Sequence, residues 1–297
     1  MAYLVSLSRW CRACRFPKRA MRRSRGALSA LGAAAHTYVT VRGFSDDSEY
    51  RILRRDSRLT HLLTEKEKNR LHLLGELERA FYSSSREDAF RLAGVDEAGR
   101  GSLAGPVVAA ACVLPRDLWI ENLNDSKKLS PFARDEIYDL LLDPRTGVDV
   151  GVGIVEADVI DAVNILEATV IAMQKALQAL RNGSPAVALI DGSLPATLKR
   201  ENERNAHNAS ATEFFGIVNG DASSLSIAAA SIVAKVTRDR LMENLDKHYP
   251  GYEFADNKGY PTPRHLELLR ELGPSPIHRR SFAPVKQFFH PMGMNQE

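Results

Sequence analysis

Residues 92–114 read LAGVDEAGRGSLAGPVVAAACVL. Two apolar runs, 92–95 and 106–114, flank Asp96, Glu97 and a Gly99-Arg100-Gly101 turn. Short apolar runs bounded by turn residues suit buried strands. Two adjacent carboxylates at the end of such a run are costly to desolvate unless something positive holds them, and a metal ion is the simplest such partner. Glycine lets a backbone come close to another molecule, and Arg100 offers a planar fork suited to phosphate. Adjacent strand residues face opposite ways, so the two acids can share a site only where the strand bends or ends, which Gly99 permits.

The remaining chain supplies the elements around this stretch. Thr64 to Glu67 forms a capping-box pattern opening a helix to about Phe81, with Leu71, Leu74 and Leu77 on one face. Ser130-Pro131 starts a helix to about Leu142, residues 148–155 read as a strand, and 164–180 as an amphipathic helix whose stripe is Leu166, Val170, Met173, Leu177 and Leu180. Residues 186–190 and 214–218 are further strands, and 223–248 form a long helix with an Ala/Ser-rich face. Thr262-Pro263 caps a last helix that ends at Gly273-Pro274. Residues 46–63 read as a linker and 195–213 as a polar surface insertion. Strands alternating with helices at this spacing give an α/β domain.

Charge is unevenly spread. Of the net +3, nine basic residues lie in 1–45, which hold no Asp or Glu, leaving −6 on the remainder. An Arg-rich, acid-free leader with Ser and small residues is the pattern of a mitochondrial import peptide; the cluster at 18–25 would also suit a nuclear signal. Cys11 and Cys14 form a lone CxxC inside this leader with no second ligand pair, and Cys112 sits in an apolar run as a small core residue. No run is long enough to span a membrane.

Three strand-like runs end in acids: Asp96 with Glu97, Asp191 and Asp221. Sites in open α/β sheets collect at strand ends, and gathered carboxylates suit Mg²⁺ or Mn²⁺ rather than zinc. Read singly, Asp191-Gly192 and Gly220-Asp221 are equally ordinary turns; their coincidence is the signal. Residues 99–104 also fit G-x-G-x-x-A, but a dinucleotide fingerprint needs a helix at the glycines, whereas 106–114 is β-rich, and the acids would repel a pyrophosphate.

The segments GVDEAGRGSLAGPVVAAACVL, LNDSKKLS, NILEATVIAMQKAL, LIDGS, NGDASSLSIAAASIVAKVTRDR, NKGYPTPRH and HRRSFAPVK resemble ribonuclease HII motif after motif and in order, over about residues 92–286. The resemblance implies an RNase H-like fold: a five-stranded mixed sheet flanked by helices, with a C-terminal helical segment, at about 91–290. It implies a metal-dependent endonuclease acting on RNA–DNA hybrids and on single ribonucleotides in duplex DNA, as a monomer. Asp96, Glu97, Asp191 and Asp221 match the catalytic, metal-holding acids. Two Mg²⁺ or Mn²⁺ ions would activate the attacking water and stabilise the leaving 3′ oxygen, giving 3′-hydroxyl and 5′-phosphate ends without a histidine base. Gly99, Arg100 and Gly101 match the ribose-sensing turn, and Tyr260 the tyrosine that stacks on the following sugar. Lys127, Lys235 and Arg238 are candidate phosphate contacts. Ser102 replaces a common Pro, and Asn219 a common Lys, which removes one positive charge near Asp221. An inactive hybrid-binding protein of the same fold is the alternative.

Overall fold

The computed structural model describes residues 39–42, 49–54, 63–85, 90–116, 118–208 and 210–289. Most of the basic leader lies outside these residues. The elements are β1 (Val39–Arg42), β2 (Glu49–Arg54), α1 (Glu65–Leu74), α2 (Glu76–Ser84), β3 (Leu92–Ala98), β4 (Val107–Val113), β5 (Leu118–Ile120), α3 (Pro131–Leu142), β6 (Asp149–Val155), α4 (Ala157–Val163), α5 (Ile165–Gln178), β7 (Val187–Asp191), α6 (Ala196–Arg204), β8 (Glu213–Ile217), α7 (Leu225–His248), α8 (Phe254–Asn257) and α9 (Pro263–Leu272).

Five strands form the central mixed sheet in the order β6-β4-β3-β7-β8. β3 pairs antiparallel with β4 and β4 with β6, while β3–β7 and β7–β8 are parallel. Alternation along the strands divides the core in two. Ala98, Ala110 and Cys112 face α7 and α3, among Ile137, Leu141 and Ile232. Ala93, Val95, Ala109 and Ala111 face α5, among Val170, Met173 and Ala176. Helix α7 lies almost on the sheet: a β-carbon at Gly94 would sit 2.1 Å from the Ser226 carbonyl carbon. Its Ala-rich face is what allows that approach, because Ala228, Ala229 and Ala230 are all fully buried.

Hydroxyl caps start the helices where the sequence predicts them. Thr64 accepts from Glu67 N, Ser130 from Ala133 N and Thr262 from His265 N. Four expectations change. The first helix kinks at Gly75 into α1 and α2, and this kinked segment packs on the domain, with Leu71 and Leu74 in the α7 core. Within the expected linker, β2 pairs antiparallel with β5, through backbone groups that charge content does not reveal. The expected insertion contains α6, anchored by fully buried Leu198. Leu166 leaves the core stripe and is 60% exposed, because Asn164 caps α5 and places Leu166 in its first turn.

Candidate active site

The carboxyl ends of the parallel strands bring the acids together. Val95 of β3 is level with Ile190 of β7, so the next residues, Asp96 and Asp191, lie side by side. Asp191 is in turn level with Ile217 of β8. The chain then turns through Asn219, in left-handed conformation, into a 3₁₀ turn carrying Asp221, just before α7. Asp191 Oδ1 accepts from Gly220 N at 2.7 Å and from Asp221 N at 3.3 Å, which ties the third acid to the fourth.

Charge is crowded here. Burial, then the charges of Glu97 and Asp191, push the Asp96 carboxyl well above the carboxylate range, against bonds from Ser231 and Glu97 N. Burial also raises Glu97, where Arg100 opposes it. Asp191 is raised by burial and by Asp221. Two cations answer this crowding: Arg100 pairs with Glu97 at 3.0 Å and Lys127 with Asp221 at 3.0 Å. Lys127 thus supplies positive charge beside Asp221, where Asn219 supplies none. Among the described residues no three His, Cys, Asp or Glu side chains are drawn onto one point as a finished metal cage. The hard oxygen donors of the four carboxylates fit a divalent ion of the Mg²⁺ type.

Beside the acids, the Gly99-Arg100-Gly101 turn rests on two buried arginines. Arg279, fully buried, donates to Gly99 O, Arg100 O and Gly105 O at 2.7–3.1 Å. Arg238, equally buried, donates to Pro106 O, Ala104 O and Lys258 O. Arg238 is therefore not a phosphate contact. All three donating nitrogens are spent on backbone carbonyls, and burial lowers its pKa. Gly99, at φ +91°, has Arg238 Nε only 1.9 Å from where a β-carbon would stand, so its glycine is demanded from inside. A β-carbon on Gly101 would meet nothing within 4 Å, so this glycine faces open space.

Tyr260 lies next to the turn. Its ring sits beneath the Arg238 guanidinium at 5.3 Å, with Lys235 Nζ at 5.8 Å. Lys235 also pairs with Asp239. The Tyr260 carbonyl accepts from His265 Nδ1, whose Nε2 meets His278 Nε2 at 3.1 Å. His278 Nδ1 accepts from Ser275 N, so its Nε2 carries the proton it shares with His265. Both rings are buried; desolvation, with His265 alongside, lowers His278 to about 4. They are neutral struts under Tyr260.

A sequence profile of the family described as Ribonuclease HII matches residues 93–285. The chain belongs to the ribonuclease HII family. A Ribonuclease HII of Listeria innocua is 50% identical over 196 residues, which cover 66% of this chain and 69% of that one. A Ribonuclease HII of Geobacillus thermodenitrificans is 44% identical over 253 residues, or 81% of this chain and 90% of the relative. The crystal structure of ribonuclease H2 from Pyrococcus horikoshii superposes with a TM-score of 0.53 at 32% identity, covering 67% of this chain and 97% of that one. A ribonuclease HII from Archaeoglobus fulgidus, solved in complex with PCNA, gives 0.52 at 26% identity, covering 70% and 98%. This ribonuclease HII is thus a divalent-metal-dependent ribonuclease H that cuts the RNA of RNA–DNA hybrids.

Sequence reasoning missed Arg279 as a functional support of this ribonuclease HII. The signal was present in the HRRSF segment, but nothing local shows which of two adjacent arginines turns inward. Arg280 is exposed instead, with its amide held by Asp161.

Proposed function

We propose that this ribonuclease HII cuts duplex DNA immediately 5′ of a single embedded ribonucleotide, besides the RNA of longer hybrids, leaving 3′-hydroxyl and 5′-phosphate ends. The observation that carries this reading is Arg238. It bonds at once to Ala104 and Pro106, after the glycine turn, and to Lys258, before Tyr260. A group that meets a ribose and a group that meets the next sugar are thereby held at fixed separation beside the acids.

Asp96, Glu97, Asp191 and Asp221 would hold Mg²⁺ or Mn²⁺, which supplies an acidified water and charge neutralisation at the phosphorus. The remaining work falls to the protein. Gly99, Arg100 and Gly101 offer backbone groups to the 2′-hydroxyl, which is both donor and acceptor and is what distinguishes RNA from DNA. Tyr260 stacks on the deoxyribose that follows. Lys127, with its side chain 77% exposed, exchanges its ion pair with Asp221 for a backbone phosphate, and Lys235 takes a second. The 3′ oxygen leaves as water attacks in line.

The test is a 5′-labelled DNA duplex carrying one ribonucleotide, incubated with the protein in Mg²⁺ and, separately, in Mn²⁺. One cut immediately 5′ of the ribonucleotide is the expected product. Cleavage of long hybrids alone would overturn the junction role of the turn and Tyr260. Binding with no cleavage in either metal would overturn the catalytic reading.

The acid-free, Arg-rich residues 1–45 support a second proposal, mitochondrial import. Fused to a fluorescent protein, they should carry it to mitochondria; a nuclear, cytosolic or secreted signal overturns this.

A further inference from the structure

The family profile starts at residue 93, so the kinked α1–α2 segment lies outside it. The segment nevertheless bonds the chain on both sides of the Lys127–Asp221 pair, at residues 122 and 123 before Lys127 and at 224 and 226 after Asp221.

On one side it holds the base of the Lys127 loop. Arg70 Nη1 donates to Leu123 O at 2.7 Å, and Glu67 Oε1 accepts from Asn122 N at 2.9 Å. Arg70 and Glu67 are themselves locked by two bonds of 2.6–2.7 Å, so these two anchors act as one. The loop so held continues into Ser126, whose hydroxyl meets Ser231 at 2.9 Å, and then into Lys127. Ser231 is the hydroxyl that opposes the upward shift of the Asp96 carboxyl.

On the other side the α1–α2 segment holds the start of α7. Glu78 is 7% exposed, and its Oε1 accepts from Ser224 Oγ at 2.6 Å, Ser226 N at 3.0 Å and Ser226 Oγ at 2.8 Å. Ser224 is the cap of α7 and follows Asp221 by three residues. The other carboxylate oxygen, Oε2, is buried without a partner. An unpaired buried carboxylate oxygen is expensive, and packing of Leu71 and Leu74 alone would dock the α1–α2 segment without it.

We propose that the kinked α1–α2 segment is a clamp that sets the spacing of the metal-holding carboxylates, with Glu78 as its positioning residue. It fixes where the chain turns at Asp221 and where the Lys127 loop meets it. The clamp acts on metal affinity and leaves the nucleic-acid contacts of Tyr260 and the glycine turn unchanged. It rests on the reading of Asp96, Glu97, Asp191 and Asp221 as metal ligands.

The experiment titrates Mn²⁺ into the full chain by calorimetry without nucleic acid, and measures the Mn²⁺ dependence of cleavage alongside KM for a hybrid. Glu78→Ala should weaken Mn²⁺ binding about tenfold or more, the effect of losing hydrogen bonds to a charged group, with a smaller change in KM. Glu78→Gln, whose amide oxygen accepts the same bonds, should restore the affinity. Should Glu78→Ala fail to fold, Arg70→Gln decides; its anchor is half-exposed, and a loss of about threefold is expected. Unchanged Mn²⁺ affinity in the deciding variant overturns the clamp, whatever its melting temperature. A Glu78→Gln variant as impaired as Glu78→Ala also overturns it, because charge rather than tethering would then be responsible. Wild-type protein that takes up no Mn²⁺ overturns the metal reading itself, a result distinct from either.

Discussion

Replacing Asp96 by Asn should reduce cleavage on the order of a thousandfold or more while making the metal-free protein more stable at neutral pH. The first effect follows from removing a carboxylate central to the group, beside Glu97 and Asp191. The second follows from the direction of its pKa. In the folded chain Asp96 keeps its proton above its ordinary value of 3.8, where the unfolded chain has released it. The folded state then binds more protons, so stability falls as pH rises from about 4 through the raised value, and the penalty is complete above it. Glu97 and Asp191 shift the same way and add to the slope. Asn carries no charge to desolvate, so its variant should show a shallower decline of Tm with pH. Each kcal/mol recovered raises Tm by about 2–4 °C in a domain of this size. Added Mg²⁺ should raise the wild-type Tm more at pH 8 than at pH 5, because the ligands must be deprotonated to bind it. Thermal melts across that range, with single-turnover cleavage on both proteins, check this. A variant that still turns over, or that melts lower than wild type at neutral pH, would sink the role given to Asp96.

The second large effect is structural. Gly94→Ala should destabilise the fold by about 3 kcal/mol or more. Its β-carbon would stand 2.1 Å from Ser226 C and 2.2 Å from Ile227 N. Both are backbone atoms in the first turn of α7, where no side chain can swing aside. The helix must lift from the sheet and carry with it the turn that bears Asp221. A fall in Tm of roughly 6–12 °C is expected from melts, with loss of cleavage before the midpoint. Gly101→Ala is the contrast. Nothing lies within 4 Å of its β-carbon, so Tm should stay within about 2 °C, as for other surface changes, while cleavage at a single ribonucleotide falls.

The acids were legible in sequence because strand ends are. An apolar run followed by Asp needs no tertiary knowledge to read, and β3, β7 and β8 then place those ends side by side. Caps were legible for the same local reason: Thr64, Ser130 and Thr262 act on amides three residues away. What escaped depends on chain distance. Lys127 and Asp221 are 94 residues apart, and their ion pair follows from where a loop lands. Arg238 stands in a helix of charged residues, VTRDR, and its pattern looks like a solvated face. Its burial is set by the carbonyls of residues 104, 106 and 258. The docking of α1 and α2 is not legible for a similar reason: amphipathicity shows that a helix has an apolar face and not what covers it.

Arg279 gives the glycine turn a polarity. It takes the carbonyls of Gly99 and Arg100 from behind. In a trans peptide the N–H points opposite to the C=O, so the amides of Arg100 and Gly101 are aimed away from the protein. The turn therefore meets an incoming molecule as a surface of hydrogen-bond donors made of main chain. Substituting Arg100 changes the side chain and leaves those amides in place. The genetic control over this part of the molecule accordingly sits 180 residues downstream, at an arginine that touches nothing outside the protein. Loss-of-function substitutions at Arg279 should then resemble, in substrate preference, lesions in a turn whose own sequence is intact.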